Sequence, residues 1–227
     1  MPKAIKKRPV KTKKAEEVEV RDVLGKARAL TTGRWFRAAL GLGLSVLAAL
    51  GFYLYRVNAG RQASAFEYEG YRLYYGLYEG RPVPETERLE KALESFKKAF
   101  QKKPSAFSLY YMANSHFKQG RYDEAESALK KLNERFPDDE RFLPLSYYKL
   151  STLYRMKAKP EEAMKYLDAL YNYKAVSFKD LALIEWAGLL EETGKKDEAK
   201  KKYELFLKSF PGSPYFREVE MRLKELP

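Results

Sequence analysis

A six-residue phrase ending in alanine recurs in the second half of this 227-residue chain. It reads GRYDEA at 120–125, AKPEEA at 158–163 and GKKDEA at 194–199. With Ala92 of the related stretch ETERLEKA, the final alanines lie 33, 38 and 36 residues apart. A spacing of about 34 residues is typical of a solenoid built from helix-turn-helix units. The spacing therefore predicts a stack of helical pairs over most of the chain.

Each phrase has the composition of a junction between two helices. The glycine ends the first helix, the acidic residues favour the first turn of the second helix, and the alanine allows close approach of the pair. Apolar residues continue at helical spacing on both sides of the phrase. Pro104, Pro137 and Pro211 are expected to end three of the second helices, and Ala175 takes the comparable place in the other.

The pattern resembles the tetratricopeptide repeat, whose units place large, small and aromatic residues at this spacing and commonly end in proline. The resemblance covers residues 62–227 and implies an all-α solenoid. Four units are predicted, namely 62–104, 105–137, 138–175 and 176–211, and the first is lengthened by a loop at 80–85. A capping helix with Ser213 as its N-cap and Pro214 at its first position is expected to close the stack.

Residues 38–55 contain no charged side chain and would span about 27 Å as a helix, close to the thickness of a bilayer core. We predict a single transmembrane helix over 35–56, with aromatic residues at both ends as interfacial anchors. One alternative is a buried helix of a soluble core. Another is a signal peptide cleaved near 63–65, but the preceding segment is long, and Arg56 and Arg61 separate that site from the apolar run.

Basic residues close to the start of the apolar run predict that the N-terminus stays in the cytoplasm. Residues 1–34 are then a disordered basic cytoplasmic tail, and residues 57–227 an exported domain, periplasmic if the membrane is a bacterial inner membrane. Within the span, Gly41, Ser45 and Ala49 form a candidate helix-packing face, which would permit a homo-oligomer. The same small residues also suit positions that simply face lipid.

The composition argues against most catalytic chemistry. The chain has no cysteine and His116 is its only histidine, so a thiol nucleophile, a disulfide framework and a His/Cys zinc site are all excluded. No phosphate loop or nucleophile elbow is present, and we expect no enzyme activity, cofactor or metal. Of the net charge of +13, residues 1–56 carry +9, so the mixed-charge body predicts no nucleic-acid binding.

Solenoids of paired helices present a concave groove lined by their first helices, which predicts recognition of a protein or peptide. Some tetratricopeptide domains clamp a terminal carboxylate with Lys and Asn. Asn114 and Lys118 match part of that pattern, but Tyr148 and Thr152 replace the next partners, so no such clamp is predicted. The candidate groove residues are Tyr110, Asn114, Phe117, Lys118, Tyr148, Thr152, Arg155, Ile184, Gly188 and Glu191.

Tyrosines are concentrated just after the apolar segment. They could form a sticky surface for unfolded or translocating chains, or pack against the next helix. The residues concerned are Phe66, Tyr68, Tyr71, Tyr74, Tyr75 and Tyr78.

The order of parts, a basic tail, one anchor and an exported repeat domain, resembles the ancillary subunit of the bacterial Sec translocon. That resemblance implies an adaptor that binds the translocon through its membrane helix and recruits periplasmic chaperones or newly exported clients through the repeats. Two alternatives use the same groove. One is a structural scaffold for cell division or outer-membrane biogenesis, and the other is a regulatory subunit of a membrane enzyme complex.

Overall fold

The computed structural model describes residues 20–26, 28, 33–77, 83–176 and 178–226, and within these ranges the regular structure is helical with no strand. The prediction of an all-α fold is confirmed. The helices are α1 (20–26), α2 (Arg34–Tyr75), α3 (Glu85–Lys102), α4 (Ala106–Lys118), α5 (Tyr122–Arg135), α6 (Leu143–Met156), α7 (Pro160–Asn172), α8 (Lys179–Glu192), α9 (Lys196–Ser209) and α10 (Phe216–Glu225).

The chain divides into two compact regions, an N-terminal region, Met1–Asn58, and a repeat domain, Ala59–Pro227. In the N-terminal region, α1 lies inside the segment for which the sequence predicts no regular structure, and Lys26 pairs with Asp22 at 2.8 Å along it. The part of α2 in this region exposes its leucines and aromatic side chains. Among the described helices, α2 alone has the length and composition to cross a membrane.

The repeat domain is a sequence of helical pairs. α4 packs on α5, α6 on α7 and α8 on α9, and each pair also contacts the next one along the chain. The last part of α2 packs on α3 to make the first pair, and α10 covers α9 at the other end. The predicted unit boundaries at 104/105, 137/138 and 175/176 all fall between helices, so the unit assignment agrees with the observed pairs.

The recurring phrase forms the tight turn inside each pair, as its composition predicts. Gly120 and Gly194 adopt left-handed backbone conformations, with φ of +74° and +78°. Ala158, which replaces glycine in the third unit, adopts the same conformation with φ of +53°. The acidic residues that follow lie in the first turns of α5, α7 and α9, where they complement the positive ends of those helix dipoles.

Small residues allow the two helices of each pair to touch. Ala92, Ala125, Ala163 and Ala199 are all fully buried, as the spacing of the phrase predicts. The first pair adds a closer contact, because a Cβ atom placed on Gly70 of α2 would lie only 2.7 Å from Cε1 of Phe96 on α3. Glycine is therefore the residue that the first pair accommodates at this crossing.

The second helices stop before their prolines, as predicted. α3, α5 and α9 end two residues ahead of Pro104, Pro137 and Pro211, and α7 ends ahead of Ala175. The predicted start of the capping helix is wrong, since α10 begins at 216 with Tyr215 in the capping position. The Ser213 oxygen accepts a hydrogen bond from the Tyr215 amide at 3.4 Å, and its hydroxyl donates to Oδ2 of Asp180 on α8 at 2.8 Å.

The C-terminus of α2 is fixed by two devices. Gly76, with φ of +71°, allows a Schellman turn in which the Leu77 amide donates to the Arg72 carbonyl at 2.7 Å. The Arg88 guanidinium, on α3, donates to the last carbonyls of α2, including that of Leu73 at 2.7 Å. These bonds satisfy carbonyl groups that a helix end otherwise leaves without partners.

Candidate protein-binding surface

The first helices of successive pairs contact one another through their side chains. We call the surface formed by the last part of α2 (59–75) together with α4, α6 and α8 the first-helix surface. At its three helix-to-helix contacts, the later helix contributes Tyr111, Lys149 or Glu185, each 14 residues before the repeated alanine. The chemistry of the surface changes with that residue, from aromatic to cationic to paired charge.

The aromatic part lies between α2 and α4. The Tyr111 ring is 5.6 Å from Tyr71, 5.4 Å from Tyr74 and 6.2 Å from Tyr75, in edge-on arrangements that aromatic rings favour. The rings of Phe107, Phe96 and Tyr110 also lie beside Tyr111, with centroids 4.6, 5.3 and 5.6 Å away. Burial, together with the neighbouring tyrosine Tyr75, raises the pKa of Tyr74 to about 12, so its phenol stays neutral throughout the physiological range.

The tyrosine-rich stretch is partly packed in the fold and partly exposed. Tyr74 is buried and Tyr71 partly buried, and both pack as the packing interpretation predicts. Tyr75 and Tyr68 remain 52% and 65% exposed. Tyr78 lies outside the described residues. The exposed tyrosines give this end of the first-helix surface an accessible aromatic patch.

The cationic part lies between α4 and α6 and holds four predicted groove residues. Asn114 is buried and hydrogen-bonded to the Tyr110 side chain. Lys118 lies 4.7 Å above the Tyr74 ring and 3.6 Å from a carboxylate oxygen of Glu85.

The fourth groove residue of this part, Phe117, supports a lysine that the sequence analysis did not select. The Lys149 ammonium lies 4.6 Å from the centre of the Phe117 ring. Burial lowers the pKa of Lys149, and the like charge of Lys118 lowers it further. Lys149 could have been found in the sequence from its repeat position, because it is equivalent to Tyr111 and Glu185 in the neighbouring units.

The paired-charge part lies between α6 and α8. The Tyr148 hydroxyl donates to Glu185 at 3.4 Å, and Arg155 forms ion pairs with Glu185 at 3.3 Å and with Glu192. Thr152 donates to the Tyr148 carbonyl at 3.1 Å, within its own helix. The polar groups of this part are therefore largely bonded to one another.

The remaining groove candidates, on α8, have mixed surroundings. Ile184 is partly buried against the main core, and Gly188 is partly exposed. The Glu191 carboxylate accepts hydrogen bonds from Tyr203 on α9 and, at 3.1 Å, from Arg222 on α10. Glu191 thus links α8 to the second helix of its own pair and to the capping helix.

A ladder of ion pairs joins successive units. The basic residue in or next to each junction reaches back to an acid near the start of the preceding second helix. Arg121 pairs with Glu90, Lys157 with Asp123 at 2.6 Å, and Lys195 with Glu161 at 2.8 Å. The sequence pattern assigns Asp123 and Glu161 to the helix dipole and gives no sign of this second role, because each pair crosses a unit boundary.

Glu126, on α5, is the most strongly bonded acid of this ladder. Burial acts to raise its pKa, but hydrogen bonds from Lys130, Lys157 and Tyr154 outweigh burial and lower the pKa to about 2. The Lys157 bond measures 2.6 Å and the Tyr154 bond 2.6 Å. This carboxylate therefore stays ionised over the whole physiological range.

The other predicted features have simple placements. Gly41, Ser45 and Ala49 are exposed along the N-terminal part of α2, and the Ser45 hydroxyl donates to the Gly41 carbonyl at 2.9 Å. His116 is buried in α4, and burial lowers its pKa. Within the described ranges, no group of three or more His, Cys, Asp or Glu side chains could hold a metal ion.

Two segments of the chain match family models of the tetratricopeptide repeat, residues 85–146 and residues 181–213. These two segments are tetratricopeptide repeats by their sequence pattern. The matched segments fall on α3 to α6 and on α8 and α9, where the pairs and the junction phrases lie. No curated protein sequence matches the chain at a significant level.

Solved structures place the repeats in the same fold. The crystal structure of the MamA protein has a TM-score of 0.54 at 17% identity, covering 73% of this chain and 82% of that one. YrrB, described as a TPR protein with an unusual peptide-binding site, has a TM-score of 0.45 at 22% identity, with 61% and 71% covered. A thermophilic TPR protein of Thermus thermophilus has a TM-score of 0.33 at 18% identity, with 70% and 97% covered. At 17% identity the likeness to MamA shows the fold alone.

Tetratricopeptide repeats carry out protein–protein interaction, and in a helical solenoid an extended face supplies the contact. In this chain the first-helix surface offers exposed aromatic rings, a pair of lysines and a self-paired charged region. Of these parts, the first two have side chains whose bonding capacity is not already used inside the fold.

Proposed function

We propose that this protein is a membrane-anchored adaptor that binds other proteins through its first-helix surface. Helix α2 carries the proposal, because it begins with an exposed apolar stretch and ends as the first helix of a tetratricopeptide unit. An apolar stretch of this length is stable in a bilayer and costly to expose to water. The basic residues before it favour a cytoplasmic N-terminus and a periplasmic repeat domain.

The finer proposal concerns the partners. We infer that the membrane helix binds the Sec translocon and that the repeats recruit periplasmic chaperones or newly exported clients. The basis is the order of parts, which resembles that of the ancillary translocon subunit. Envelope scaffolds and regulatory subunits of membrane enzymes share parts of this layout, and they are the alternatives that the partner experiment has to separate.

The topology is testable because the chain has no cysteine of its own. Single cysteines at Thr12, in the tail, and at Ser127, exposed on α5, would be labelled with a membrane-impermeant maleimide in intact bacterial spheroplasts. We expect labelling at Ser127→Cys only, and labelling at both sites after lysis. Labelling of Thr12→Cys in intact spheroplasts would contradict the proposed orientation.

The partners are testable by crosslinking in native membranes, followed by solubilisation, pull-down and mass spectrometry. A form starting at Arg61 serves as the comparison without the apolar stretch. We expect translocon subunits with the full chain only, and chaperones with both forms. Recovery of division or outer-membrane assembly factors without translocon subunits would favour the scaffold, and recovery of a membrane enzyme would favour the regulatory subunit.

A further inference from the structure

Among the described residues, no carboxylate forms an ion pair with the ammonium group of Lys149 on the first-helix surface. The group lies over the Phe117 ring at 4.6 Å, and the like charge of Lys118 acts on it. The equivalent residues of the neighbouring units are satisfied, Tyr111 by other rings and Glu185 by Arg155. Within the described part of the chain, the middle of this surface is thus an uncompensated cationic position.

The surroundings of Lys149 add two further features of a binding site. Lys118, on the facing helix, is 41% exposed and only loosely paired, at 3.6 Å from Glu85. Phe117 is partly exposed beside the Lys149 ammonium, and offers an apolar face next to the charge. Placing two cations together with partial burial is unfavourable by itself, and an anion between them would reverse that cost.

We propose that this part of the surface binds an acidic segment of a partner protein, with an Asp or Glu side chain between Lys149 and Lys118 and an apolar neighbour against Phe117. This inference rests on the adaptor function and adds the chemistry of its partner. A side chain of an extended segment can reach an ammonium group that is partly buried between two helices. A flat bilayer surface cannot bring a headgroup there, so we assign the site to a polypeptide.

The direct test uses the full-length protein in nanodiscs of phosphatidylcholine and a fluorescent peptide with the sequence GSDFEEFDSG. The peptide is amidated, so it has no terminal carboxylate. The control peptide, GSNFQQFNSG, has amides in place of the four carboxylates and otherwise the same sequence. We expect the acidic peptide to bind at least about tenfold more tightly, because charge-assisted hydrogen bonds are the strongest class in proteins.

Variants then locate the site. Lys149→Gln should weaken binding of the acidic peptide about tenfold, and Lys149→Arg should keep it within about threefold, because the positive charge remains. Lys201→Gln, which removes the same charge from an exposed position on α9, is the matched control and should change binding less than about twofold. Circular dichroism of each variant checks that the repeats stay folded.

Three results would overturn the proposal. Equal binding of the two peptides would remove the role of the carboxylates. Equal losses in Lys149→Gln and Lys201→Gln would reduce the effect to overall charge. If nanodiscs containing phosphatidylglycerol displaced the fluorescent peptide as well as unlabelled acidic peptide does, the site would be reassigned to lipid. If partners are still recovered from native membranes in any of these cases, the adaptor function stands and only the acidic-segment inference fails.

Discussion

All three copies of the junction phrase begin with a left-handed residue, and only two of them have glycine there. In the junction of the third unit, Ala158 adopts φ of +53°, a conformation in which its Cβ crowds the backbone. Glycine accepts this conformation without that crowding, as Gly120 and Gly194 show in the other two junctions. The third junction is therefore strained at the level of a single residue.

We expect Ala158→Gly to stabilise the fold by about 0.5–1 kcal/mol, because relief of the left-handed strain exceeds the added flexibility of the unfolded chain. Urea unfolding of the full-length protein in micelles, followed by circular dichroism, measures the change. Gly194→Ala is the matched reverse change and should destabilise the fold by about 1 kcal/mol. A loss of stability in Ala158→Gly would show that the strain is not present in solution.

Glu126 predicts a dependence of stability on acid. Its pKa is lowered from 4.5 to about 2 in the folded state, so its bonds contribute fully above pH 4.5 and are lost as the pH falls toward 2. We expect Glu126→Gln to lower the urea midpoint at pH 7 and to make the decline between pH 4.5 and 2.5 less steep. If the urea midpoint fell equally steeply over this pH range in the unmodified protein and in Glu126→Gln, the lowered pKa of Glu126 would be contradicted. Glu124→Gln, exposed on the same helix, is the control.

At the scale of the element, local pattern predicts each helical pair, and contacts between pairs decide what the pattern misses. The junction phrase predicts the turns and buried alanines because those contacts lie within one unit. The helix starts two residues later than predicted, and the Ser213 hydroxyl, besides accepting from the Tyr215 amide at 3.4 Å, donates at 2.8 Å to Asp180, about thirty residues earlier, which no local pattern shows. Lys149 was missed for the same reason, since its partner Phe117 lies on another unit.

The crossing of α2 and α3 predicts that two glycines of one helix respond differently to alanine. Gly70→Ala should destabilise the fold by about 1–3 kcal/mol, because its Cβ would meet the buried Phe96 ring at 2.7 Å. Gly60→Ala should stabilise α2 by about 0.5–1 kcal/mol, since its nearest neighbour, on Lys103, is 3.9 Å away. Thermal unfolding compares the two. Equal effects would mean that the crossing is looser than described.

At the scale of the molecule, the main contacts between the described helices of the repeat domain join each pair to its neighbours along the chain, as in a linear stack. Stability in such a stack is local, so damage at one end should spread gradually rather than unfold the whole. α10 closes the C-terminal end and buries Val219 beside Tyr203 and Phe206 in the main core. The candidate site between α4 and α6 lies nearer the middle of the stack.

We expect Val219→Asp to release α10 and to speed hydrogen exchange in α8, α9 and α10, while α3 and α4 keep their protection. Mass spectrometry of the full-length protein after exchange resolves these segments. Met221→Asp places the same charge on the exposed side of α10, where methionine is 59% exposed, and should leave exchange unchanged. A uniform rise in exchange along the chain would show that the domain unfolds as one cooperative body.

The ladder of ion pairs has a consequence for the history of the chain. Lys157 and Lys195 each reach an acid 34 residues earlier, a separation close to the length of one unit. Duplication or deletion of a whole unit in the gene would carry both halves of the pattern together, and every new boundary would again bring a cation to an acid. The surface that joins the units is thus compatible with a change in their number, without a second mutation to restore charge balance.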